Sequence, residues 1–420
     1  MRRDAIWGKA KRRGGTFRSL RVRNFRLFFV GHTVSIIGTW MQRVTQDLLI
    51  LQLSESAFAL GVSMTLQFGP TFLLGMWGGA VADRYDRRRV LVATQLALLV
   101  LSLALGILVV TNTVRLWMVY VFTLLVGVTT AVDNPTRYAV VIDLVKPDEY
   151  VNAQGLVATA QSSGLLIGPA VGGVVISAVG LGPVFLLNAA SYLAVLGAVL
   201  RMDWSTTRSR ATIPRHGGVR DAFGYIWRQP QLRAALGLVL AFALLAQNLR
   251  ITLPLLATQT FHGGPQAYGY LAALAGLGAL LGGLAAARRS TLRSRAVLGA
   301  AAAVSAASLA VAASPTLATA YLAVVTVGIA NQSFQTVTRA VLLLTAEQAM
   351  SGRMMAAHST AVFGAIPPGG LLMGWICHAW GVRTGLAVAG LSVLFAAVAA
   401  APTLLKSGSS TTPDPSHAAP

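Results

Sequence analysis

The chain has 420 residues, of which 55% are hydrophobic and only 11% charged, and it carries a formal net charge of +21. Soluble domains carry about a quarter charged residues, so this composition excludes a water-soluble fold. At roughly 20 apolar residues per bilayer crossing, the chain has room for about twelve spans. In a soluble protein so basic a balance would point to nucleic acid; here the charge falls between apolar runs, which excludes nucleic acid and makes the lipid bilayer the first partner.

Residues 1–25 form a basic arm, and the apolar run that follows is of spanning length without a small-residue cleavage site, so it reads as a retained span. Spans are expected at 26–50, 57–81, 90–111, 116–144, 153–179 and 183–202, an N-terminal six-helix bundle over 26–202. Residues 203–231 form a linker in which Val219, Phe223, Ile226 and Trp227 recur at helical spacing among Arg220, Asp221 and Arg228, the pattern of an amphipathic helix lying in the interface. The second bundle covers 232–405, with spans at 232–260, 266–287, 296–314, 317–345, 354–379 and 383–405. Residues 406–420, rich in Ser, Thr, Pro and Ala, read as a disordered tail.

Assigning each Lys and Arg to a face puts about thirty of the 34 on one side, including the arm, the Arg84–Arg89 loop, the linker, the 288–295 loop and Arg137. By the positive-inside rule that side, with both termini, is cytoplasmic, and the membrane is the bacterial inner membrane. Arg115 and Arg383 lie on the other face, and Arg43 and Arg250 fall inside spans.

An internal repeat sets the architecture. A shift of 207 places Arg43-Val44-Thr45 on Arg250-Ile251-Thr252 and Arg88 on Arg295, and a shift near 200 pairs Gly127 with Gly328 and Gly164 with Gly364. An offset of six helices preserves orientation, so the halves are parallel repeats and a substrate site is expected between them near mid-membrane.

The loop after the second span runs from Gly79 through Asp83, Arg84, Tyr85, Asp86, Arg87 and Arg88. Here the chain resembles the major facilitator superfamily, whose signature is Gly, three residues, Asp, Arg, any residue, Gly, then two basic residues. Asp86 stands where the family has Gly, a position at which Asp tolerates a left-handed backbone. The second-half equivalent has Ala287 in place of the acid, so only the first copy has the charge. The resemblance implies a gate in which Asp83 engages a helix N-terminus of the other half, with Arg137 as its candidate basic partner. The alternative is that these basic residues only fix topology and bind anionic lipid.

The fifth span contains Gly164, Gly168, Pro169, Gly172 and Gly173, which matches the family's antiporter signature and implies export by antiport. Glycines 164, 168 and 172 share one face for close helix packing, Pro169 can bend the span, and the glycine-rich eighth span is the expected partner. Generic close packing is the plainer reading.

Polar groups within spans are costly and mark a cavity or a partner. The candidates are Arg43, Gln46, Asp47, Asp133, Gln247, Asn248, Arg250, Asn331, Gln332 and Gln335, on the first, fourth, seventh and tenth spans, which line the cavity in this superfamily. Asp47 and Asp133 are the proton-coupling candidates; equally, Asp47 reads as an outer-interface residue paired with Arg43, and Asp133 as the structural partner of Arg137. His32 and the single cysteine, Cys377, read as core residues. No phosphate loop, metal-ligand cluster or hydrolytic triad is present, so neither a cofactor nor a bound metal is expected and the chain is not read as an enzyme. The expectation is a monomeric all-α exporter of a small molecule, a drug or siderophore for example, driven by a coupling proton. An importer or facilitator of a nutrient is the second reading, and a non-transporting membrane enzyme or scaffold the third.

Overall fold

A computed structural model describes residues 17–204, 225–287, 295–346 and 350–406. Most of the basic arm, the linker up to residue 224 and the tail beyond Lys406 lie outside the described residues; of the expected linker helix, residues 225–228 are described and are helical, with Ile226 buried and Trp227 exposed. Every regular element among the described residues is helical. Twelve long helices follow in order: α1 (Arg23–Ser54), α2 (Ala57–Arg84), α3 (Arg87–Val110), α4 (Leu116–Leu144), α5 (Tyr150–Val179), α6 (Leu181–Arg201), α7 (Pro230–Thr260), α8 (Pro265–Ala287), α9 (Arg295–Ala312) and α10 (Leu317–Thr345), then α11 (351–380) and α12 (382–406), which are separated only by Gly381. Side chains such as Leu322, Phe395 and Val398, each more than 60% exposed, form an outward apolar surface that only lipid can cover. The chain is a multi-pass membrane protein. α1 is the least apolar long helix of the first half because Gln42, Arg43, Gln46 and Asp47 interrupt it, and these residues are held inside the protein.

The repeat is visible in the backbone. Gly180 joins α5 to α6 with φ +84°, and Gly381 joins α11 to α12 with φ +82°. Glu55 after α1 and His262 after α7, which are 207 positions apart, both adopt left-handed φ values of 52° and 50°. Matched glycines make matched contacts: Gly127 brings α4 onto the backbone of α2 at Gln67, and Gly328 brings α10 onto α8 at Ala275 and Gly278. α7 departs from its counterpart through two π-helical turns, Phe242–Ala246 and Leu256–Thr260, on either side of Gln247 and Asn248.

One end of the bundle carries most of the described basic residues, and the opposite, far end carries Glu55, Arg115 and Arg383. At the basic end, Arg18 pairs with Asp148 and Glu149, and Ser19 binds Asn152, strapping the turn that leads into α1 to the start of α5 and the turn before it.

The halves meet chiefly along α2 with α11 and α5 with α8. Toward the far end the backbones touch: a Cβ on Gly173 would stand 3.1 Å from Gly269 Cα, and Thr65 Oγ1 donates to Pro367 O at 2.8 Å. The same stripe of α2 continues at helical spacing through Phe72, against Gly364, to Gly75, Met76, Gly79 and Asp83. There it is uncovered: Gly75 and Gly79 face open space and Met76 is 85% exposed. On α5 the stripe from Gly173 reaches Gly155, in open space, and Val151, 81% exposed. Both interfaces therefore splay toward the basic end, leaving a cleft open there and closed at the far end.

Candidate functional site

At the closed end of this cleft a polar lock crosses between the halves. Asp47 of α1 accepts two hydrogen bonds from Arg250 of α7, Nη2 to Oδ1 at 2.7 Å and Nε to Oδ2 at 3.2 Å. Tyr268 of α8 donates to the same carboxylate at 2.8 Å, and Arg250 Nη1 donates to Gln67 Oε1 of α2 at 2.5 Å. Asp47 is only 2% exposed. A bidentate guanidinium–carboxylate pair fixes the relative angle of the two backbones that carry it, so the lock resists rocking of one half against the other. Asn248 donates to Leu244 O at 2.7 Å, occupying a carbonyl at the break in α7 that places Arg250. Beyond the lock, a vestibule of about 660 Å³ opens to the far end, lined by residues including Leu48, Gln52, Glu55, Gln259 and His262.

The expected pairing of Asp47 with Arg43 is therefore corrected. α1 turns Asp47 toward the other half, and its partner lies 203 positions away. Arg43 sits one turn before Asp47 on the same face, its guanidinium 4.4 Å from the centre of the Trp40 ring. Gln46 belongs to the N-terminal bundle, where its amide meets Thr123 at 2.9 Å and Ser63 at 3.3 Å. Gln42, Ser102 and Asn188 form a second network in that bundle. Gln247 and Asn331 keep buried carbonyl oxygens without donors, Gln332 lies by Gly283, and Gln335 is half-buried on α10.

Asp133 pairs with Arg137 one turn away. Arg137 Nε donates to its Oδ2 at 2.5 Å, and Thr94 and Gln95 of α3 donate to Oδ1 at 2.7 and 2.8 Å. Arg137 also donates to His32 Nδ1 at 2.6 Å, and His32 stacks on Phe28 within the core. Arg137 is thus an intraspan residue with 13% side-chain exposure, neither a loop charge nor the partner of Asp83.

At the basic end Asp83 is half exposed, with Arg87 4.0 Å away, and it does not reach the other half in this open arrangement. Arg87 instead pairs with Asp143 of α4 at 2.5 Å, tying α3 to α4. Arg84 and Arg88 flank this pair, with Arg88 over the Trp204 ring. Asp86 is not left-handed: at φ −57° it caps α3, accepting from Arg89 N at 3.0 Å, and it substitutes for Gly by this route. Asp143 was missed from sequence; its signal was an acid at the end of a span beside the basic loop.

The antiporter-type glycines divide their work. Gly164, Gly168 and Gly172 seat α1 at Ile36, Trp40 and Met41, so their face packs within the first half. Gly173, with the carbonyls of Pro169 and Leu165, meets Gly269 and Gly276 of α8, whereas Gly278 and Gly282 pack on α10. The expected α5–α8 partnership runs through Gly173 and not through the three-glycine face.

Residues 14–420 match the family model described as transmembrane secretion effector, a branch of the major facilitator superfamily. The chain belongs to this family. Its members are transporters and not enzymes. The chain is similar to the staphyloferrin A transporter of Staphylococcus aureus, 22% identical over 61% of this chain and 65% of the relative. It is also similar to macrolide efflux protein A of Streptococcus pyogenes, 26% identical over 46% of this chain and 45% of the relative. The enterobactin exporter of Salmonella typhimurium is 24% identical over 62% of each. These matches span about half to two thirds of the relatives' lengths. Among solved structures, a bacterial homolog of the lysosomal transporter Spinster aligns over 92% of this chain and 98% of its own, with a TM-score of 0.70 at 18% identity. The nucleoside transporter NupG aligns over 93% and 100%, with a TM-score of 0.73 at 12% identity. Both establish the fold of two six-helix halves.

Proposed function

We propose that this family member is a secondary active exporter that moves a small molecule out of the cell across the inner membrane by proton antiport, with both termini in the cytoplasm. The supporting observation is the Asp47–Arg250–Tyr268 lock, a buried ion pair that crosses the halves at the closed end of a cleft open at the basic end. The positive-inside bias makes that open end cytoplasmic, so substrate enters the cleft from the cell. A proton reaching Asp47 removes the charge that Arg250 grips, the far interfaces part, and substrate leaves through the vestibule at Gln52 and Gln259. Return of the proton to the cytoplasm re-forms the lock. Relatives named for export of a siderophore or a macrolide favour the outward direction.

Inverted vesicles with an imposed pH gradient test direction and coupling together. Uphill accumulation of at least one compound from a panel of siderophores and amphiphilic drugs is expected, collapsing when the gradient is dissipated. Asp47→Asn is expected to retain downhill exchange and lose uphill accumulation; full uphill transport by that variant would rule out Asp47 as the coupling acid.

A further inference from the structure

Arg43 lies just below the lock and has no acceptor there. The three hydrogen bonds on the Asp47 carboxylate come from Arg250 and Tyr268, and none comes from Arg43. Among the described residues Arg43 makes no hydrogen bond or ion pair, and its Nε is buried without a partner. The repeat accounts for the imbalance: Arg43 matches Arg250, but the position that matches Asp47 is Pro254. Two guanidiniums therefore converge on one carboxylate at the roof of the cleft. The other intraspan acid of the first half, Asp133, is already matched by Arg137.

A guanidinium within a membrane span that shares its one carboxylate with a second guanidinium is expensive, and Arg43 stands one turn from the lock toward the open end, where a ligand in the cleft can complete it. Its planar fork suits the paired oxygens of a carboxylate, phosphate or sulfonate. The ring of Trp40 on one side holds the guanidinium plane. Gln247, at the break of α7 three residues before Arg250, has a buried Oε1 with no donor, suited to a ligand hydroxyl or amide N–H.

Resting on the export reading above, we propose that the substrate is an organic anion whose acidic group seats on Arg43, with a hydrogen-bond donor directed to Gln247. The positive charge at the roof then selects acids over neutral and cationic molecules of the same shape.

The test is equilibrium binding of 1-pyrenebutyrate and of its neutral amide to the purified full chain in detergent, followed by fluorescence anisotropy without any gradient. The acid is expected to bind at least tenfold more tightly. Arg43→Gln should abolish that preference and Arg43→Lys should keep part of it. Equal binding of acid and amide, binding of neither at millimolar probe, or a preference that survives in well-folded Arg43→Gln overturns the proposal. The wild-type comparison decides even if that variant does not fold. Phosphatidylglycerol displacing the probe at equal concentration would assign Arg43 to a lipid head group and also overturn it. Transport plays no part in this readout, so a chain that pumps without acid preference refutes only the anion, and one that prefers the acid without pumping refutes only the exporter.

Discussion

Arg137 is held by two unlike acceptors, the Asp133 carboxylate and the His32 ring, and each of them is buried. Removing the guanidinium strands a carboxylate whose side chain is 5% exposed, and breaking such a pair from one side costs about 3–5 kcal/mol. Arg137→Gln is therefore expected to lower the melting temperature of the detergent-solubilised protein by several degrees. Asp133→Asn combined with Arg137→Gln should recover much of the loss, because Thr94 and Gln95 can bond the amide. Equal losses in the single and double variants would mean that the stranded carboxylate adds no cost. The sequence marked Asp133 as costly within a span but counted Arg137 with the cytoplasmic charges, and the four-residue spacing offered the pairing as one of two readings. It could not show that Arg43 and Asp47, at the same spacing, do not pair. That outcome depends on Arg250 and Tyr268 arriving from the other half, which no local pattern encodes.

At the scale of helices, close approach of α5 and α8 is what seals the far end, and it rests on the absence of side chains. A Cβ on Gly269 would stand 2.5 Å from Pro169 O, and one on Gly173 would stand 2.9 Å from Pro265 O. Both are backbone atoms that no rotamer change can clear. Gly269→Val is expected to force the far interface apart, raising the labelling of a single cysteine at Leu48, buried in the vestibule lining, by an impermeant maleimide added from the far side several-fold. The half-bundles should stay folded, since the contacts of Gly164, Gly168 and Gly172 with α1 are untouched. Unchanged labelling would show that α5 and α8 do not form the seal. The number, order and near-exact limits of the helices were legible because apolar runs of spanning length have few other outcomes in a bilayer. The partner of each glycine face was not, because a small-residue stripe specifies closeness without naming the neighbour. The same limit applies to the π-helical turns of α7, which insert a residue without altering composition.

For the molecule as a whole, duplication explains the symmetry of the scaffold and asymmetry explains its chemistry. The turns at Glu55 and His262, and at Gly180 and Gly381, repeat almost unchanged, so the two halves share one scaffold. The charges are not matched: Asp83 has Ala287 as its counterpart, and Asp47 has Pro254. Each acid thus stands on one half only, Asp47 bound to Arg250 across the far end and Asp83 beside Arg87 of its own half at the open basic end. If the Asp47–Arg250 pair fixes the far end and the halves move as units, as the proposed cycle requires, weakening the pair redistributes the molecule toward the opposite opening. Spin labels at Gln52 and Gln259, on the two sides of the vestibule, report that separation, in a background where the buried Cys377 is replaced by Ala. The parent protein is expected to give one short distance, and Asp47→Asn a second, longer population that grows at the expense of the first. Lowering the pH should bring the parent toward the same longer population while leaving Asp47→Asn unchanged, since that variant has already lost the proton acceptor at the lock. A pH response of equal size in both proteins would place the conformational trigger at another residue.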